Sequence, residues 1–390
     1  MKGETVNVVD TVVIGGGIVG WSAAYHLVRQ GQSVVLIDRA DPGQATAAGA
    51  GIISPGSSVR MPKATLPLSK AAVRYYRELL QVLADDGQPD TGFDSPGTLF
   101  IFQNEEEMAR LAEVESFARQ LKAEDFGSIG EISVLSGKEA QSLFPPLAEF
   151  PAAIHFSGGS RVDGRKIRDA MRAAALQRGA REIIGSAAWE ATTLPLNSIR
   201  AGDETVSFAS LLIAGGAWTP ELTGALAVSL PVVPQRGQIL HFDMENVETS
   251  PWPIIHGFHN HYLLAFAPSR VVAGATREDG SGFDYRKTAG GVYQELDVAL
   301  LVAPGLATAT LAEIRIGFRP FSGDTLPVMG RVPGHDNVFV ATGHGPSGLQ
   351  LGPVSGAMVA NQLLGVPNDI SIEAYSPDRF SQARSGIRHV

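Results

Sequence analysis

The sequence predicts an α/β fold in which a Rossmann-like nucleotide-binding domain carries an inserted α+β domain built on a mostly antiparallel sheet. Three observations support this prediction. A β-α-β pattern with glycines between strand and helix opens the chain, strand-rich stretches without such a motif occupy its middle, and a glycine-rich loop between a strand and a helix follows near its end. The 390 residues suffice for two domains with substantial cores.

The opening unit spans residues 8–38. Val8 to Ile14 is an apolar, β-branched run of strand length, Ile18 to Gln30 has helical character, and Ser33 to Ile37 is a second apolar strand. Asp38 stands at the carboxyl end of that second strand. The pattern indicates two parallel strands joined by a helix.

Each glycine of this unit has a mechanical task. Gly15 permits the tight turn, Gly17 lets the backbone approach a pyrophosphate, and Gly20 lets helix and strand pack closely. The amides at the helix N-terminus, from Ile18 on, favour negative charge, and Asp38 is placed to accept hydrogen bonds from a ribose hydroxyl. The unit therefore predicts a dinucleotide site, and NAD and FAD both remain open here.

Two further stretches are suited to close approach by a backbone. Residues 44–51 are almost all small, so their backbone can lie against a flat ring and donate N–H groups. The strand from Leu211 to Ala214 runs into Gly215, Gly216, Ala217 and Trp218. Each stretch could equally be an ordinary loop.

Two arginines follow in one strand, residues 313–320. Arg319 lies between Phe318 and Pro320, where an unpaired cation would be costly, so it needs a carboxylate from the protein or from a ligand. Arg315 alternates onto the same face and is interpreted as the arginine with a structural partner.

The C-terminal loop, residues 342–352, follows a short strand at 337–341. Pro353 suits a first helical turn, so we expect a helix from there to Leu364 whose N-terminus could stabilise negative charge on a reduced ring. Elsewhere, residues 105–121 predict one helix, and residues 299–310 predict a poorly amphipathic helix or a loop.

Composition excludes several classes of function. The net charge of −9 argues against nucleic-acid and anionic-membrane partners. The absence of cysteine excludes disulfides, thiolate metal sites and a Cys-linked flavin. The histidine cluster has no acidic ligand in register, so no metal site is expected; it comprises His241, His256, His259 and His261. We also expect neither a secretion signal nor a transmembrane segment.

Several ordered motifs carry a resemblance to a known family. They are VVIGGGIVG with Asp38, ATAAGAGI, AGGAWTPEL, PVVPQRGQIL, GATRE, GFRPFSGDTLPVMG and NVFVATGHGPSGLQLGP. Over nearly its whole length the chain resembles the D-amino acid oxidase family of FAD enzymes, which includes glycine oxidase, sarcosine oxidase and bacterial D-amino acid dehydrogenases. The resemblance implies non-covalent FAD in the Rossmann-like domain.

The resemblance also implies site residues. Arg319 matches the arginine that grips the substrate carboxylate, Tyr262 resembles an active-site tyrosine, and His344 is expected beside the flavin. The residues expected to hold FAD are Gly15, Gly17, Ile18, Gly20, Asp38, Arg39, Thr46, Ala47, Ala48, Gly49, Gly51, Ala187, Ala214, Gly215, Trp218, Gly345, Gly348, Leu349 and Gln350.

The reaction implied by the resemblance is hydride transfer from the amine-bearing carbon of a small amino acid to flavin N5. The resulting imine would be hydrolysed to a 2-oxo acid. No second GxGxxG motif appears, so oxygen, a quinone or a protein carrier is expected to reoxidise the flavin. By the same resemblance, a sarcosine oxidase is expected to have an oxygen-activating lysine near residues 262–278. This stretch contains no lysine, so a sarcosine oxidase is disfavoured.

The predicted FAD-binding domain comprises residues 1–80, 151–225 and 320–390, and the substrate domain comprises 81–150 and 226–319. We expect a cytoplasmic enzyme, or one peripheral to the inner membrane, that takes a small carboxylate substrate. A hetero-complex and a homo-oligomer both remain open. The alternatives are an FAD-dependent 2-hydroxy acid dehydrogenase, a non-catalytic FAD-containing subunit and an NAD dehydrogenase.

Overall fold

A computed structural model of the chain describes residues 8–53, 63–124, 129–189, 194–258 and 260–380. They form two eight-stranded sheets and a two-stranded one, β3 (Ile52–Ile53) with β7 (Ser160–Arg161). The main path of the first large sheet runs, in spatial order, β17 (Val328–Arg331), β18 (Val338–Thr342), β11 (Glu204–Ile213), β1 (Val8–Ile14), β2 (Val34–Asp38) and β8 (Arg181–Ile184). Two antiparallel strands, β10 (Ser198–Ala201) and β9 (Ala187–Ala188), branch from β11.

The first sheet has the predicted parallel centre. Strand β1 pairs in parallel with both β2 and β11, and β11 pairs in parallel with β18. Its helical layer consists of α1 (Ile18–Arg29), α3 (Leu66–Asp85), α7 (Gly164–Gln177) and α10 (Gly348–Leu364). A Cβ on Gly356 would lie 2.5 Å from the carbonyl oxygen of Val19, so glycine lets α10 cross closely over α1.

The second sheet is antiparallel except where two strands meet in parallel. In spatial order it contains β16 (Thr310–Ser322), β12 (Val232–Asp243), β15 (Arg270–Gly274), β14 (His261–Phe266), β13 (Ile254–Phe258), β4 (Thr98–Phe102), β6 (Ala152–Phe156) and β5 (Ile132–Ser136). The parallel pair is β13 with β4. The Rossmann-like domain and the mostly antiparallel second sheet are thus confirmed.

Helices pack on both faces of the second sheet. One face is covered by α6 (Gly137–Leu143) and α9 (Ala289–Val302), and the other face carries α4 (Glu105–Met108) and α5 (Leu111–Ala123) beside strands β4 and β6. Buried side chains of α6 and α9, such as Ala140 and Val302, pack with Leu240 and Leu263 of the sheet. Side chains on the opposite side of the sheet, including Ile239, pack near Ala50 and Ile52, so the small-residue segment lies between the two sheets.

Three local predictions are wrong. The helix predicted over 105–121 is divided at Ala109 and Arg110, whose backbone stays near the helical region and so preserves the periodicity. The helix or loop expected over 299–310 starts too late: helix α9 begins at Ala289, where two glycines give little helix propensity, and ends at Val302, before a 3-10 helix over Pro304–Thr308. Residues 310–322 are strand β16.

The third correction concerns Pro353, which lies inside α10 rather than in its first turn; the helix begins at Gly348. Proline has no N–H to donate to the carbonyl of Leu349, one turn earlier. The hydroxyl of buried Tyr76 donates to that carbonyl instead. A tertiary contact therefore supplies the hydrogen bond that the helix lacks.

The predicted domain boundaries fall close to strands of the second sheet. Strand β6 belongs to that sheet although it lies in the predicted FAD-binding segment 151–225, and the boundary at 319 cuts β16. The division into two domains at these residues stays a prediction. Among the described residues, no helix is long and apolar enough to cross a membrane.

Candidate active site

A cavity lies where the carboxyl ends of the parallel strands meet the second sheet. Segment α2 (Ala45–Ala48) and the turn before α8 (Thr219–Gly224) also border it. Most residues predicted from the sequence line it, namely Gly15, Gly17, Ile18, Asp38, Arg39, Thr46, Ala48, Gly49, Gly51, Ala187, Ala214, Gly215, Trp218, Tyr262, Arg319, His344, Gly345, Gly348 and Leu349. Three others, Gly20, Ala47 and Gln350, do not line it.

The glycine turn after β1 has no room for side chains. Gly15 has a φ of +109°, and a Cβ there would lie 2.3 Å from the carbonyl oxygen of Ala214. A Cβ on Gly20 would lie 1.9 Å from the carbonyl oxygen of Gly15. Gly20 therefore acts through packing of α1 against the turn, and it leaves the turn itself free to border the cavity.

The start of α1 is fixed by the small-residue segment. Its N-cap, Gly17, has no side chain to accept the first amides. The amide of Ile18 instead donates to the hydroxyl of Thr46 over 3.0 Å. The neighbouring Ala47 turns away from the cavity, and its carbonyl accepts from Arg165. The hydrogen bond between Ile18 and Thr46 joins the glycine turn to the segment that separates the two sheets.

The acid at the end of β2 is held in place by its own loop. Asp38 accepts from the side-chain amide of Gln44 at 2.9 and 3.2 Å and from the amide of Ala40 at 3.0 Å. Arg39 pairs with Asp41 and Glu221 at the same end of the cavity. Gln44, which also lines the cavity, was not singled out from the sequence.

Arg319 lies at the other end of the cavity without a carboxylate partner. Its Nη1 donates to the carbonyl of Thr276 over 3.0 Å. No carboxylate of the part of the chain that the structure describes comes within 4.0 Å of it. Burial lowers the pKa of Arg319, yet a guanidinium stays charged. By contrast, Arg315 pairs with Glu313 at 2.8 Å, as interpreted from the sequence.

Two glycines of the second sheet make room for the large side chains of this end. A Cβ on Gly237 would lie 2.6 Å from Nη1 of Arg319, and a Cβ on Gly274 would lie 2.7 Å from the hydroxyl of Tyr262. Gly237 stands opposite Gly317 across β12 and β16, and Gly274 stands opposite Tyr262 across β15 and β14. Neither glycine has a local sequence pattern that indicates its role.

Tyr262 and His344 are both held in their neutral forms. Burial raises the pKa of Tyr262 to about 12, against the smaller opposing influence of Arg319. Burial lowers the pKa of His344 to about 4. The Nε2 atom of His344 is buried and has no hydrogen-bond partner among the described residues. A buried ring nitrogen of this kind fits a ligand in the cavity that supplies the missing partner.

Arg277 is a further cavity residue that the sequence did not indicate. It directly follows Thr276, whose carbonyl holds Arg319, and its side chain is exposed at the cavity. Elsewhere, no group of three or more His, Asp or Glu side chains within the described ranges could hold a metal ion. His259, part of the histidine cluster, lies outside those ranges.

The fold and this cavity define a flavin-type dinucleotide-binding enzyme: a glycine turn and an acid at one end, a buried guanidinium at the other. The family model described as FAD dependent oxidoreductase (DAO) matches residues 10–362. The chain belongs to this family, which confirms the resemblance found in the sequence. It is an FAD-dependent oxidoreductase. The glycine turn, the N-termini of α1 and α10 beside the cavity and the buried Nε2 of His344, which has no hydrogen-bond partner among the described residues, all fit that cofactor.

Several relatives cover almost the whole chain. An uncharacterized oxidoreductase, YurR, of Bacillus subtilis is 38% identical over 94% of this chain and 98% of its own. Glycine oxidase of Bacillus licheniformis is 27% identical over 95% of this chain and 97% of its own. The solved structure of iminodiacetate oxidase from Chelativorans sp. BNC1 has a TM-score of 0.90 and 38% identity, covering 94% of this chain and 98% of that one.

Proposed function

We propose that this protein oxidises a small amino acid at the carbon that bears the amine. The substrates in question are a D-amino acid, glycine or an N-substituted amino acid. FAD, when bound, supplies the acceptor for the hydride, at flavin N5. The imine product would then be hydrolysed by water to a 2-oxo acid and ammonia or an amine.

The observation that carries this proposal is the guanidinium of Arg319. It borders the cavity, and its Nη1 donates a hydrogen bond to the carbonyl of Thr276. A buried cation without a counter-ion is unfavourable, whereas a planar guanidinium binds a carboxylate through two parallel hydrogen bonds. A substrate carboxylate would therefore be fixed at this end of the cavity, which would orient the neighbouring carbon.

Other residues of the cavity would position the substrate and the cofactor, and they would not exchange protons with them. Tyr262 keeps its hydroxyl proton and can donate a hydrogen bond to the substrate. Neutral His344 would offer Nε2 to the cofactor ring, and the first amides of α10 would favour negative charge there. The glycine turn and Asp38 would hold the nucleotide half. The hydride mechanism requires the substrate amine to be neutral, and no side-chain base is needed.

The relatives support an amine as the reacting group. The relative of known structure that is 38% identical to this chain is named for iminodiacetate, an N-substituted amino acid. Other relatives are named glycine oxidases. We extend only the class of substrate, a small amino acid with a free carboxylate.

Anaerobic reduction of the bound flavin tests the proposal. The purified yellow protein would be mixed separately with four amino acids and two hydroxy acids: glycine, N-methylglycine, D-alanine, iminodiacetate, lactate and glycolate. Bleaching by amino acids is expected; bleaching by hydroxy acids alone would replace the proposal with a 2-hydroxy acid dehydrogenase. Comparing peroxide formation with dye reduction then separates an oxidase from a dehydrogenase.

A pair of arginine variants tests the role of Arg319. Arg319→Met should lower kcat/KM by about 100-fold or more, because the substrate carboxylate loses its buried partner. Arg331→Met removes the same charge from an exposed position outside the cavity and should leave kcat/KM unchanged. Equal turnover by the two variants would remove the proposed role.

A further inference from the structure

A second guanidinium faces the cavity beside Arg319. Thr276 and Glu278 turn their side chains toward Gln238, where the Thr276 hydroxyl accepts from the Gln238 amide and Glu278 accepts from the Gln238 side chain, both over 2.8 Å. Because side chains alternate along an extended backbone, the intervening Arg277 points the other way, into the cavity. The carbonyl of Thr276 meanwhile holds Arg319. The two arginines are therefore neighbours at one end of the cavity.

Neither Arg277 nor Arg319 has a counter-ion among the residues that the structure describes. Within the residues that the structure describes, no carboxylate lies within 4.0 Å of either guanidinium. The two positive charges oppose each other, since Arg277 contributes to the lowered pKa of Arg319. The surrounding acids are bound elsewhere: Glu278 to Arg236, Glu295 to His261 and Asp279 to Gln235.

The charge of this end contrasts with that of the whole chain. The protein carries a net charge of −9, yet two guanidiniums meet at the cavity with no acidic partner in the described part of the chain. Arg319 alone accounts for one carboxylate. Arg277 has its five N–H donors available for a second, and a guanidinium matches a carboxylate in geometry as well as in charge.

We propose that the substrate is a dicarboxylic amine whose first carboxylate binds Arg319 and whose second binds Arg277. This inference rests on the proposed function, because it takes the Arg319 end of the cavity as the substrate end. The second carboxylate can be attached through the amine nitrogen, as in an iminodicarboxylate, or through the side chain, as in D-aspartate. Both forms present two negative charges around one oxidisable carbon.

Binding of ligands that cannot react as amines separates this inference from the catalytic proposal. Oxydiacetate has two carboxylates joined through an ether, and methoxyacetate has the same ether with one carboxylate. Calorimetric titration of the FAD-loaded enzyme should show oxydiacetate binding about 10-fold more tightly or better. Arg277→Met should abolish this preference, and Arg277→Lys should restore part of it.

The control is again Arg331→Met, which removes one positive charge outside the cavity and should keep the preference for oxydiacetate. Equal binding of the two ethers by the unmodified enzyme would overturn the inference. A preference for oxydiacetate that survives Arg277→Met would also overturn it. A preference that depends on Arg277 in an enzyme that oxidises no amine would support the dicarboxylate site and refute the proposed function.

Oxidation rates then distinguish the two sources of the second carboxylate. A higher kcat/KM for iminodiacetate than for N-methylglycine would place it on the nitrogen substituent. A higher kcat/KM for D-aspartate than for D-alanine would place it on the side chain. Either preference should fall by about 10-fold in Arg277→Met, while N-methylglycine and D-alanine should be unaffected. An unmodified enzyme that favours the monocarboxylates in both pairs would contradict the inference.

Discussion

Gly237 illustrates how one missing side chain shapes the substrate end. The guanidinium of Arg319 occupies the space that a Cβ would take, 2.6 Å from Nη1 and 2.7 Å from Cζ and Nη2. The obstructed atoms belong to the far end of a flexible side chain, which can move. A methyl group at this position would thus displace the guanidinium and leave the sheet intact.

We predict that Gly237→Ala lowers kcat/KM about 10-fold or more, since a small displacement of a positioning group is costly for catalysis. The free energy of unfolding should change by less than about 1 kcal/mol. Gly290→Ala is the control, because a Cβ there meets nothing within 4 Å. Steady-state kinetics and urea unfolding measure both; a large loss of stability with unchanged kcat/KM would contradict the prediction.

The neutral states of Tyr262 and His344 predict which group governs the pH dependence. With a pKa of about 12 for Tyr262 and about 4 for His344, neither changes charge between pH ~6 and ~10. Flavin reduction should become faster as pH rises, because the substrate ammonium loses its proton. In stopped-flow profiles, Tyr262→Phe and His344→Asn should change the rate but not the midpoint; a shifted midpoint in either variant would assign the titration to that residue.

At the scale of elements, α10 depends on a partner from α3. Its interior proline leaves the carbonyl of Leu349 without an intrahelical donor, and the hydroxyl of Tyr76 fills that role. Leu349 also lines the cavity, so the bond supports the end of the helix that borders the cofactor site. A proline at position 353 therefore depends on the tyrosine at position 76 to donate the missing hydrogen bond.

Tyr76→Phe should lower the free energy of unfolding by about 1–3 kcal/mol, because the buried carbonyl of Leu349 loses its donor. Tyr293→Phe, at a position that is 71% exposed, should have no effect. In a Pro353→Ala background the new amide can donate to Leu349, so Tyr76→Phe should there be less destabilising. Urea unfolding of the four combinations measures this coupling; additive effects would refute the assigned hydrogen bond.

At the scale of the whole molecule, burial of several histidines links stability to pH. Burial lowers the pKa of His256 and His344 to about 4 and that of His241 to about 3, from an ordinary value of 6.5. The unfolded chain therefore takes up protons first as the pH falls. The contribution of these histidines to the free energy of unfolding is therefore full well above pH 6.5 and is lost as the pH falls toward 4.

Each of these histidines should contribute a slope of up to about 1.4 kcal/mol per pH unit in that interval. His256→Leu removes one such group, and its free energy of unfolding should fall less steeply between pH 6.5 and 4 than that of the unmodified protein. Urea unfolding at a series of pH values tests this. Parallel curves for the two proteins would show that His256 takes no part in the linkage.

The sequence alone determined the elements whose signals are local. The strand, glycine turn and helix of residues 8–38 carry their own periodicity and steric requirements, and Arg319 stood out because an arginine in an apolar strand end needs a partner. The resemblance to a family added the flavin. Local signals also misled, because Pro353 reads as the start of a helix unless the distant Tyr76 is known.

The tertiary structure alone decided which residues share the substrate end. Gly237 and Arg277 border the cavity, and Gly274 makes room there for Tyr262. The register among β12, β14, β15 and β16 brings these residues together although they are far apart in the chain. An exposed arginine and two strand glycines have no distinctive local pattern. The acids nearest to Arg277 and Arg319 could have neutralised them, and only folding pairs those acids with other partners.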